Sequence, residues 1–117
     1  MAEDRDEVIS EVVRRLVEHY RPDRIYLFGS SARGDARPDS DLDFLVVLPD
    51  DTPRAKFFDG SIYQRLRGIP LTVDVIPFRR RTFEERSGWL MSLPAIALGE
   101  GTLQYEAGQF VPVAGGV

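Results

Sequence analysis

The chain has 117 residues, 43% of them hydrophobic, which suits one domain with a single modest core. Its net charge of −4 argues against broad nonspecific nucleic-acid binding, which rests on many Lys and Arg contacts to phosphate. It has no cysteine, and this excludes disulfides, thiol catalysis and Cys-ligated zinc.

Val8, Ile9, Val12, Val13, Leu16 and Val17 recur at helical spacing and predict a first helix, with Asp4 as N-cap and Pro22 closing the run. The acidic, polar N-terminus does not resemble a signal peptide. Residues 24–28, rich in aromatic and branched side chains, predict a strand that breaks at Gly29-Ser30. A short helix over 30–35 and a turn-rich loop over 35–40 follow. Leu42–Leu48 is the strongest strand signal, closed by Pro49. Thr52 as N-cap with Pro53 at the first helical position predicts a long second helix to about Arg67. Leu71–Ile76 predicts a third strand. Thr82 with Glu85 forms a capping-box pattern for a helix over 83–98, bent or broken at Pro94. Thr102–Tyr105 predicts a short last strand, and residues 107–117 a flexible tail after a domain spanning 1–106. The longest apolar stretch, Leu90–Leu98, contains Ser92 and Pro94 and is too short to cross a bilayer, so no membrane partner and a cytoplasmic location are expected. Helices interleave with strands, so the expected class is α/β (α+β), with a small mixed sheet flanked by helices.

The chemistry is concentrated in Gly29-Ser30, ten intervening residues, and Asp41-Leu-Asp43. Alternation along a strand points Asp41 and Asp43 the same way, about 7 Å apart, while Leu42 and Phe44 face the core. Two carboxylates at one strand end suit Mg²⁺, a hard cation that takes one or two carboxylates plus substrate phosphates. Asp74, flanked by Val73 and Val75 on a buried-type strand, is a third candidate, because a lone charge there needs compensation. Gly29 and Ser30 at a strand-to-helix turn suit phosphate binding, and Arg33 lies about one turn on.

Taken singly, each feature has a plainer reading. Gly-Ser can be a turn, Asp-x-Asp a solvated cap, and Asp74 the partner of a nearby arginine. Arg79–Arg81 reads as a solvated turn, and His19 as a cation at a helix C-terminus. The combination is more specific than its parts.

Those residues resemble the minimal, MNT-type branch of the DNA polymerase β-like nucleotidyltransferase superfamily. Gly29, Ser30, Asp41 and Asp43 match its signature without a gap, and Ala32-Arg33-Gly34 and Ser40 match residues common around it. The similarity spans about residues 8–105. It implies that Asp41, Asp43 and Asp74 bind Mg²⁺ and carry catalysis, and that Gly29, Ser30, Arg33 and Ser40 hold the triphosphate, with ATP as donor. It further implies transfer of AMP to an acceptor hydroxyl. In this branch the acceptor is often a tyrosine of a HEPN-domain toxin, which makes the small protein an antitoxin that works with a partner. Transfer to an antibiotic, a small molecule or an RNA end, and a non-catalytic antitoxin acting by contact, are the alternatives. Larger relatives carry a second domain, and no counterpart to it is expected in these residues.

Overall fold

The computed structural model describes residues 5–29, 40–58 and 60–108. Asp4, the short helix predicted over 30–35, most of the loop over 35–40 and the tail from 109 lie outside the described residues.

Helix α1 spans Arg5–Tyr20 and buries Val8, Val12, Val13 and Leu16, the stripe the periodicity predicts. Asp6 and Glu7 occupy its first turn and complement the positive end of the helix dipole. On its outer side Glu11 accepts from Arg14 (2.6 Å) and Arg15 (2.7 Å), which holds its carboxyl down at about 2. Strands β1 (Arg24–Phe28), β2 (Leu42–Leu48), β3 (Val73–Arg79) and β4 (Thr102–Glu106) form one sheet in the order β3-β2-β1-β4. The β1–β2 and β1–β4 pairs are antiparallel, and β2–β3 is parallel. The sheet is therefore mixed, as expected.

Alternation divides the sheet side chains between two cores. Ile25, Leu27, Leu42, Phe44, Val46 and Val75 pack beneath α1 and the short helix α2 (Ser61–Arg65), which contributes Ile62. On the other face Tyr26, Phe28, Leu45 and Val47 meet Phe83 and Ala97 from α3 (Arg80–Arg86) and α4 (Leu93–Glu100). Phe83 stacks on Tyr26 with ring centroids 5.5 Å apart. β2 is buried on both faces, which is why it reads as an almost unbroken apolar run.

Three predicted elements differ. The long helix from Thr52 to Arg67 is instead a 3₁₀ turn, Arg54–Phe57, followed by α2. Arg79 Nη1 donates to the carbonyls of Asp50 (2.9 Å) and Thr52 (2.8 Å), which ties the start of this segment to the end of β3. Gly60, at φ 67°, then turns the chain through a left-handed conformation that a helix cannot contain. β3 begins at Val73 and runs to Arg79 through Pro77, which an edge strand tolerates because its outer side needs no ladder donor. The helix predicted over 83–98 is two helices, and Thr82 lies within α3 rather than capping it. Met91 takes φ 66° between them, and Pro94 sits in the first turn of α4.

Ser92 caps α4, its hydroxyl accepting from the Ala95 N–H at 3.1 Å and donating to the Arg86 carbonyl. Ser92→Ala should cost about 1 kcal/mol. The melting temperature, followed by circular dichroism, should drop by roughly 4–8 °C.

Candidate active site

The antiparallel β1–β2 pair and the parallel β2–β3 pair bring the C-terminal end of β1 and the N-terminal ends of β2 and β3 to one rim of the sheet. In register there, Phe28 pairs with Asp43 and Asp43 with Asp74. Asp41, two residues before Asp43, shares its face, and the Asp41 carbonyl accepts from Arg5 Nη2 at 3.4 Å. The backbone between them is fixed by Leu42 N–H donating to the Thr72 carbonyl at 2.9 Å, which joins the start of β2 to the chain entering β3. Two separate stretches of sequence thus place three carboxylates on one rim.

Their environments differ. Asp41 and Asp74 are exposed, whereas Asp43 is half-buried on the inner strand. Burial raises the Asp43 carboxyl above its usual range, and the charges of Asp74 and Asp41 and a hydrogen bond with Asp74 push it the same way. The sequence argument assigned the desolvated carboxylate to Asp74, and the structure corrects this. Val73 and Val75 turn to the opposite face, leaving Asp74 open to solvent on an edge strand, so the electrostatic strain falls on Asp43.

Gly29 closes the rim at φ 77°. A Cβ built on it would lie 2.6 Å from Asp43 Oδ2, so the Asp43 carboxylate rests directly against the glycine backbone. Only a residue without a side chain lets β1 end this close to that oxygen.

Among the described residues, no three acidic or histidine side chains, these carboxylates included, come close enough to hold a metal ion together. The carboxylates form a row with Asp43 in the middle. Such a row still fits a magnesium site, because Mg²⁺ uses one or two carboxylates and completes its shell with water and substrate phosphate. The mutual repulsion recorded at Asp43 is the kind a divalent cation removes.

Of the predicted phosphate-binding residues, Gly29 adjoins Asp43 and Ser40 is half-buried next to Asp41, while Ser30 and Arg33 lie outside the described residues. His19 lies in the last turn of α1 and is buried, packing edge-on against Tyr20 with Nε2 3.3 Å from Ser61 Oγ. Arg79 is a structural clamp on residues 50–52, and Arg80 forms exposed ion pairs with Asp23 and Glu84. Sequence reasoning missed Tyr63. Its hydroxyl accepts the Val75 N–H at 3.3 Å on the outer edge of β3, one residue from Asp74. No local pattern could reveal this contact, which depends on how the crossover packs. A cavity of about 170 Å³ bordered by Asp23, Arg24, Glu84 and Glu106 lies at the opposite end of β1 and β2, away from the carboxylates.

Comparison with known proteins agrees with this fold. A family model described as "Nucleotidyltransferase domain" matches residues 9–96, well over half of the chain. The fold is similar to that of a candidate nucleotidyltransferase from Sulfolobus solfataricus (TM-score 0.58, 22% identity, covering 87% of this chain and 80% of that one). It is also similar to a chain from a toxin–antitoxin crystal structure with AMP-PNP (TM-score 0.55, 19% identity, covering 85% and 74%). No curated protein sequence matches.

Proposed function

Because the chain belongs to the nucleotidyltransferase domain family, we propose that it transfers AMP from ATP to an acceptor hydroxyl, in a Mg²⁺-dependent reaction at Asp41, Asp43 and Asp74. The observation that carries this reading is the row of three carboxylates, with Asp43 pressed between Asp74 and Gly29. Asp41 and Asp43, on one face of one strand, would hold the ion together with the phosphates, and Asp74 would complete the site from β3. Bound Mg²⁺ would neutralise phosphate charge and make the acceptor hydroxyl more acidic.

The chain's own residues do the positioning. Gly29 leaves room for the Asp43 carboxylate at the end of β1, and Gly29, Ser30, Arg33 and Ser40 would hold the triphosphate as the family resemblance implies. The acceptor oxygen attacks the α-phosphorus, the bond to pyrophosphate breaks, and Asp74 takes the hydroxyl proton. Asp74 suits that role because it is an exposed carboxylate on the neighbouring strand, in register with Asp43.

The proposed acceptor is a tyrosine of a HEPN-domain partner, which would make the protein an antitoxin. Supporting this is the chain's likeness in fold to a chain of a toxin–antitoxin structure with AMP-PNP. The test is labelled ATP with Mg²⁺ and a co-purified HEPN partner, followed by mass spectrometry of the partner for an added AMP. Asp74→Asn should lower the transfer rate at least about 100-fold, a typical loss for a general base. ATP affinity measured by calorimetry should change less than about threefold. The reverse pattern would assign Asp74 to nucleotide binding instead. Absence of Mg²⁺-dependent ATP binding in the wild type would leave neutralisation by contact as the surviving reading.

A further inference from the structure

On the carboxylate-bearing face, β3 runs from Asp74 through Ile76 to Phe78, and beyond Phe78 the surface opens into a groove of about 330 Å³. Arg54, Phe57, Phe58, Phe78, Arg79 and Arg86 line it. No described carboxylate does, although the chain as a whole carries −4. Arg79 is committed to the Asp50 and Thr52 carbonyls and lies 4.6 Å over the Phe57 ring. Arg54 and Arg86 are not. Neither makes an ion pair with a described residue. Arg54 lies 5.7 Å over Phe58, and Arg86 spans two rings, 5.9 Å from Phe78 and 5.3 Å from Trp89.

Two of the rings are open to water, Phe58 being 76% and Trp89 56% exposed, and Leu90 (93%) and Met91 (77%) follow Trp89 in the chain. Such a concentration of exposed aromatic, Met and Arg side chains matches the composition of protein–protein interface cores and is unusual on a surface that stays wet. Two guanidiniums that no described carboxylate pairs ask for anionic groups in the occupant, and the exposed Phe58 and Trp89 rings ask for apolar ones. A nucleic-acid strand satisfies only the first demand. It would also need a longer basic track, whereas Glu84 and Glu85 directly precede Arg86 on α3. Strand addition along β3 is barred as well, since Pro77 has no N–H to offer and the Tyr63 hydroxyl covers that of Val75.

We infer that this groove docks an acidic segment of a protein partner carrying leucine or aromatic side chains, and so delivers the partner's acceptor hydroxyl to Asp74. Phe78 lies four residues from Asp74, about 13 Å along the strand. That separation lets one short segment occupy the groove and reach the carboxylates together. The inference rests on the nucleotidyl-transfer reading and names the chemistry of its acceptor.

Trp89 is the only tryptophan in the chain, so its fluorescence reports on the groove directly. Three probes would be titrated: a short peptide alternating Glu and Leu around one Tyr, the same peptide with Lys for every Glu, and a single-stranded oligoadenylate. The acidic peptide should shift Trp89 emission saturably. The double variant Arg54→Glu/Arg86→Glu should weaken it at least about tenfold and gain affinity for the Lys peptide, as expected when charge pairing sets specificity. If that variant fails to fold by circular dichroism, Arg54→Gln/Arg86→Gln should show a loss in the same direction. Calorimetry with a non-hydrolysable ATP analogue and Mg²⁺ should give equal affinities for wild type and variant. If the wild type binds the peptide as described but not the analogue, the nucleotidyl-transfer reading fails while the docking surface stands. The proposal is overturned if the acidic peptide gives no saturable response or binds wild type and variant alike. It is also overturned if the oligoadenylate alone responds, which would hand the groove to nucleic acid.

Discussion

Asp43→Asn should abolish nucleotidyl transfer, by at least about 10³-fold, and leave the metal-free protein as stable as the wild type or more so. The first effect follows from removing charge where a divalent ion contributes several kcal/mol of transition-state stabilisation. The second follows from the carboxylate's position: Asp43 is half-buried, faces Asp74 in register and shares its face with Asp41. Its proton affinity is raised by burial first and by its two neighbours next. The sign is then fixed. Between the ordinary carboxylate range and the raised value in the fold, the native state holds more protons than the unfolded one. Stability contributed by Asp43 is present below that window and is lost as pH rises through it. Above that window the ionised carboxylate is therefore a liability without a cation, and Asn removes it. Melting curves against pH should show this slope in the wild type and not in the variant. Added Mg²⁺ should raise the wild-type melting temperature alone. Glu11, held at about 2 by Arg14 and Arg15, acts oppositely: its contribution is present above the usual carboxylate range and fades as pH falls toward 2. Being exposed, that contribution is screened by salt and common to both proteins, so their difference isolates Asp43. Transfer retained within about tenfold in Asp43→Asn would remove Asp43 from the chemistry.

Gly29→Ala should be the most damaging substitution outside the carboxylates. Two costs coincide there. The backbone is at φ 77°, where a residue with a Cβ loses roughly 1–2 kcal/mol. The new methyl would also lie 2.6 Å from Asp43 Oδ2. Because the clashing atom ends a side chain, Asp43 can rotate away, so the fold survives while the carboxylate leaves its place. A displacement of about 1 Å at reacting groups can cost on the order of 100-fold in rate. Gly29→Asn separates the two costs, since Asn tolerates the left-handed region better than Ala but keeps the Cβ. It should recover part of the melting temperature and none of the activity. If Gly29→Asn restores both, the backbone conformation alone matters and the contact with Asp43 does not.

Local patterns determined much of this protein. The helical stripe of Val8, Val12, Val13 and Leu16, the limits of β1 and β2, and the common face of Asp41 and Asp43 all follow from side-chain periodicity, which is a property of a few consecutive residues. The spacing from Gly29-Ser30 to Asp41 and Asp43 likewise carries the resemblance to a nucleotidyltransferase signature before any contact is known. Only the tertiary structure decided how those pieces meet. The broken crossover depends on Arg79 reaching back to carbonyls at 50 and 52, a contact across a sequence separation that propensity does not register. The register of β3 against β2 decides that Asp74 stands beside Asp43, and strand order decides which of the two is desolvated: the inner strand loses water, and the edge strand keeps it. The cationic, aromatic groove is assembled from residues 54–58, 77–79 and 82–86, none of which forms a motif on its own. Sequence names the groups that can act, because chemistry resides in side chains; the fold sets their charges against one another, because electrostatic energy depends on distance and on the water that packing excludes.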